Sequence, residues 1–136
     1  MIRLVLLASI IAACGGDGGT PGTSGSISGM INDGTGAVTF EDDCEFFSTD
    51  NYLHVATTND QTGVEVIWDP AIVDEPGMYT TSGIVPDITI AALLDGDILA
   101  AEGTVTFTVL ESIRAVGTLQ LTGSRLTGNA SFDCAK

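Results

Sequence analysis

The feature that most constrains this chain is its punctuation. From Ile27 onward, glycines and Asn/Asp clusters recur every eight to twelve residues or so, and the runs between them are rich in Val, Ile, Thr and aromatics. That spacing predicts short antiparallel strands joined by tight turns. Ile27, Gly29 and Ile31 alternate with Ser28 and Met30, and Asn32-Asp33-Gly34-Thr35-Gly36 turns the chain into Ala37–Phe40. Tyr52–Thr58 and Val64–Trp68 flank a polar turn; Val64, Val66 and Trp68 take one face and Glu65 the other. Ile88–Leu94 and Ile98–Ala101 are apolar enough for short buried helices. Their lengths, and Asp95-Gly96-Asp97 between them, favour a strand hairpin.

Towards the C-terminus the alternation sharpens. Thr104, Thr106 and Thr108 interleave with Val105, Phe107 and Val109. Ala115, Gly117, Leu119 and Leu121 then interleave with polar residues, and Gly128, Ala130 and Phe132 share a face of the last strand. The expected fold is all-β, an antiparallel β-sandwich of about eight or nine short strands over residues 27–136. A small β-barrel is the alternative, disfavoured by the shortage of large residues to fill a lumen.

The N-terminal residues follow a different logic. Arg3 precedes an apolar run of about ten residues, half of the ~20 that a membrane-spanning helix needs. Length and flanks fit a cleavable signal over residues 1–13. Ile11-Ala12-Ala13-Cys14 resembles the bacterial lipobox: a branched aliphatic residue, two small residues, then cysteine. The resemblance implies cleavage before Cys14, a diacylglyceryl thioether on its sulfur, and acylation of the new amine. Two or three chains on one residue anchor stably where one chain is marginal. Residues 14–26 are rich in glycine and serine and lack anything to bury, as a flexible tether requires. Gly15, rather than aspartate, follows Cys14. In the lipoproteins this resembles, that points to the outer membrane of the cell envelope.

Loss of the signal removes Arg3, leaving 18 acidic residues against Arg114, Arg125 and Lys136. A formal charge near −15 repels phosphate backbones and anionic headgroups, so nucleic acid is not an expected partner and the lipid is the expected membrane attachment. With Cys14 acylated, Cys44 and Cys134 are the only possible intrachain pair, and an exported chain meets conditions that let them join.

A second resemblance lies in the last 60 or so residues. Pro76-Gly77-Met78-Tyr79-Thr80 is followed by Gly103-Thr104-Val105-Thr106-Phe107, then Gly117-Thr118-Leu119-Gln120-Leu121 and Gly128-Asn129-Ala130-Ser131-Phe132. This pattern is similar to small uncharacterised β-domain lipoproteins of Gram-negative bacteria, with a glycine-tyrosine turn at residues 76–80. It implies a fold and a location, but no activity.

Catalytic chemistry finds little purchase. The one histidine, His54, sits inside a predicted strand on a face with Tyr52 and Ala56, and no Gly-x-Ser-x-Gly elbow exists. One histidine and a paired cysteine couple do not make a transition-metal site. Calcium asks only for converging oxygens. Glu41, Asp42 and Asp43 with Glu45 form the densest acidic cluster, with Asn32-Asp33 across a hairpin, and Asp95 and Asp97 form a second candidate. The bland alternative is a set of solvated turn carboxylates. Trp68, beside Asp69-Pro70, is the candidate for an exposed ligand-stacking aromatic. The expected function is therefore that of a non-catalytic, lipid-anchored envelope protein, a binding or structural module for an envelope protein or polysaccharide. No cofactor beyond the lipid is expected, calcium excepted. Two readings compete with it: a barrel-like carrier of an apolar ligand, and a carboxylate-based hydrolase.

Overall fold

A computed structural model describes residues 24–49 and 51–136. The signal segment, Cys14 and the tether up to residue 23 lie outside the described residues. Ten strands follow one another: β1 (Ser24–Asn32), β2 (Ala37–Thr49), β3 (Tyr52–Thr57), β4 (Gly63–Trp68), β5 (Gly77–Thr80), β6 (Ile88–Leu94), β7 (Asp97–Ala101), β8 (Gly103–Leu110), β9 (Arg114–Thr122) and β10 (Thr127–Ala135). All pair antiparallel in one sheet of order β5-β8-β9-β10-β1-β2-β3-β4-β6-β7. The fold is all-β, as the alternation predicts.

The sheet curls because β2 serves two halves. Its first part, Ala37–Asp43, pairs with β1, and Cys44–Thr49 pairs with β3. The halves close over one core whose centre is aromatic. Trp68 of β4 meets Phe107 of β8 with ring centroids 5.0 Å apart, Phe46 lies edge-on to Trp68, and Phe132 lies edge-on to Phe107. Such offset and edge contacts suit the ring quadrupoles and add about 1 kcal/mol each beyond the area they bury. The terminal strands β5 and β7 do not pair with each other, so the sheet is curled and not closed.

Local chemistry accounts for the connections. The β6–β7 hairpin turns on Asp95 and Gly96 with φ of 51° and 81°, the pair of positive values that a type I′ turn demands. The apolar runs of residues 88–94 and 98–101 are therefore strands. A bulge at Thr108 lets β8 follow β9 around the curl. Cys44, where β2 passes from one half to the other, is bonded to Cys134 of β10, with Cα atoms 5.4 Å apart, inside the ordinary disulfide range.

Three sequence expectations need correction. The count is ten strands, because Gly77–Thr80, read as a glycine-tyrosine turn, is the edge strand β5. Residues 41–45 are not turn carboxylates: β2 runs unbroken for 13 residues through them. The first strand also starts before the expected Ile27, at Ser24, opposite Ala135 of β10.

Candidate functional site

Glu45, His54 and Glu65 occupy one face of the second half-sheet, the face turned away from the aromatic core. Register places them there. Glu45, Ala56, Glu65, Ala91 and Ala100 form one cross-strand row, and Phe47, His54, Ile67 and Thr89 form the next. Opposed residues share a face, so the carboxylates flank Ala56 and the imidazole sits one row away. All three are buried: Glu45 is 2% exposed, His54 4% and Glu65 1%. Phe47, Ala56 and Leu93 form a small apolar cluster on the same face, with Ile98 against it.

The polar contacts run in a line. His54 Nδ1 is 2.9 Å from Glu65 Oε1, and Nε2 is 3.1 Å from the Thr49 hydroxyl. An ionised carboxylate can only accept, so with Glu65 ionised Nδ1–H donates to it. At Nε2 the ring accepts the Thr49 hydroxyl proton when it carries hydrogen on Nδ1 alone, and donates to the hydroxyl oxygen when both nitrogens carry one. The Phe47 ring stacks on the imidazole, centroids 4.5 Å apart and planes 26° off parallel, which fixes its tilt.

Glu45 is the costly member. Among the described residues neither of its carboxyl oxygens has a hydrogen-bond partner, and Glu65 Oε2 has none. Buried carboxylates without partners favour the protonated form. Burial accordingly pushes the Glu45 carboxyl up to about 7, and the charge of Glu65 acts in the same direction. The site therefore combines a proton-holding carboxyl near neutrality with a hydroxyl, imidazole and carboxylate in series.

The sequence-predicted candidates fall elsewhere. Trp68 is 1% exposed and packed in the core, so it is not an exposed stacking residue. Glu41 and Asp43 are exposed, whereas Asp42 between them accepts from the Thr58 hydroxyl at 3.1 Å and from the Asn59 backbone N–H. Asp42 thus ties the β3–β4 turn to β2. Asn32 pairs with Ala37 at the hairpin tip, about 13 Å along the strand from Glu41, so those groups do not converge. Asp95 and Asp97 flank Gly96 in the β6–β7 hairpin. Among the described residues no three His, Cys, Asp or Glu side chains are grouped as a metal ion would require.

Sequence reasoning placed Glu65 opposite Val64 and Val66 but missed that its face is buried. The signal was in β6. Ile90 to Leu94 is apolar at every position, which alternation cannot explain unless both faces of the strand are covered. Glu65 and Glu45 share the row of Ala91, so they are covered with it. No protein-family model, curated protein or solved structure matches the chain.

Proposed function

We propose that this chain is an exported lipoprotein, held to the cell envelope through acyl chains on Cys14, whose β-domain binds or braces a partner without catalysing a reaction. The observation that carries it is the pairing of Cys44 with Cys134. That bond suits an oxidising compartment and leaves one cysteine over, the one that follows an apolar run and two alanines. The filled aromatic interior favours recognition on the outer surface over carriage of an apolar ligand inside. An acidic exterior favours a cationic partner or a cation-bridged polysaccharide. The outer membrane is the proposed address, from the glycine after Cys14.

Expression in a Gram-negative host with radiolabelled palmitate tests the anchor. The wild-type chain should take up label and sediment with membranes, and Cys14→Ser should do neither. A Cys14→Ser chain that remains equally membrane-bound would overturn the reading.

A further inference from the structure

The edge strand β5 and the loops on either side of it differ from the rest of the surface. Of the eight large hydrophobic residues exposed among the described residues, four lie here: Ile72, Met78, Ile84 and Val85, with Ile84 fully exposed. Residues 69–87 also carry four acidic side chains, Asp69, Asp74, Glu75 and Asp87, and no basic one. Asp74, Glu75 and Asp87 lie close enough to Tyr79 of the strand for their charges to act on it. Burial raises the pKa of the Tyr79 hydroxyl, and the charges of Glu75, Asp74 and Asp87 push the same way.

The strand itself is half paired. β8 takes one edge, and among the described residues no strand takes the other. The Thr81 N–H donates to Gly103 O, so by antiparallel alternation Tyr79 and Gly77 also face β8, while the backbone groups of Met78 and Thr80 face outward. Natural edges are commonly guarded by lysine or inward charge; this one carries neither. Position completes the picture. Ser24 lies beside Ala135 and Arg114, whereas Thr80 lies at the opposite end, in line with Thr104, Gln120 and Asn129. Thr80, which leads into the Ile84–Val85 loop, is level with Met30 and thus about 20 Å along the strands from Ser24.

We propose that the free edge of β5, with the Ile84–Val85 loop, is a docking surface for an extended basic and apolar segment of a partner protein, which adds to the sheet as an eleventh strand. Main-chain bonds to Met78 and Thr80 hold the segment, its apolar side chains cover Met78, Ile84 and Val85, and its cations meet Asp74, Glu75 and Asp87. A second copy of this chain is the poorer occupant, because it would bring the same negative charges to the same edge. The inference rests on the binding-module reading, and on the lipid anchor only for the direction in which the surface faces.

Fluorescence anisotropy on the full chain in detergent, with a labelled peptide of alternating lysine and valine about nine residues long, tests it directly. Binding should saturate. It should weaken by about tenfold or more in Ile84→Ser/Val85→Ser, and equally in Met78→Pro, which removes both the outward-facing N–H and the side chain that the segment covers. A peptide with its valines replaced by proline should not bind, since it cannot form the ladder. Equal affinity in all variants would show charge attraction alone and overturn the proposal, as would absence of binding at about 1 mM peptide. Sedimentation equilibrium showing a dimer that Ile84→Ser/Val85→Ser dissolves would assign the edge to self-association instead. A chain that fails to incorporate palmitate yet binds the peptide would remove the anchor and leave the docking surface standing.

Discussion

Glu45 carries a carboxyl with no hydrogen-bond partner among the described residues, held near 7 by burial and by Glu65. Because its pKa is raised from 4.5 on folding, the folded chain holds a proton that the unfolded chain gives up. The contribution to stability is complete below about pH 4.5 and is lost as pH rises through about 7. Relative to wild type, Glu45→Gln should therefore gain about 1–3 kcal/mol at pH 8 and little at pH 4, read from urea melts at both pH values. No difference between the two pH values would show that Glu45 is solvated. Glu65 is the opposite case, a carboxylate with a partner. Glu65→Ala strands the His54 N–H and should cost about 3 kcal/mol or more, whereas Glu65→Gln keeps an acceptor and should cost less. Equal losses would place the His54 bond outside the stability of the fold.

Elements were legible where one face was polar. Thr104, Thr106 and Thr108 announced β8 and left Val105 and Phe107 inward, and β9 and β10 read the same way. Asp95-Gly96 announced its turn; Gly96→Ala should cost about 1 kcal/mol by thermal melting, because alanine resists the φ of 81° found there. Legibility failed where alternation stopped carrying information. Glu41-Asp42-Asp43 looks like a turn by composition, yet those residues sit mid-strand, where Asp42 accepts bonds from Thr58 and Asn59. Gly77–Thr80 is too short to show a period, and only its pairing with β8 makes it a strand. The buried carboxylates were hidden for a related reason: burial of Glu45 depends on β2, β3, β4 and β6 lying side by side, which no local window reports. The disulfide was legible by counting, and it ties the bend of β2 to the C-terminal strand across 90 residues. Cys44→Ser/Cys134→Ser should lower unfolding free energy by about 2–4 kcal/mol in denaturant, and an unchanged midpoint would mean that the bond adds nothing to the folded state.

At the scale of the whole molecule, one body is built from a curled sheet with a filled centre, carrying 18 acidic residues against four basic ones. Its described residues carry only Arg114, Arg125 and Lys136 as basic side chains, so the proposed reading assigns membrane attachment to Cys14. The same negative charge favours cationic over acidic partners at the proposed docking edge. In the proposed reading Cys14 is the anchor, and that reading depends on what is bonded to one sulfur. Mass spectrometry of the N-terminal peptide of the chain purified from membranes measures that bond directly. The expected spectrum begins at Cys14 and carries the mass of a diacylglyceryl group on its sulfur. A peptide that begins elsewhere, or a Cys14 with a free thiol, would contradict it.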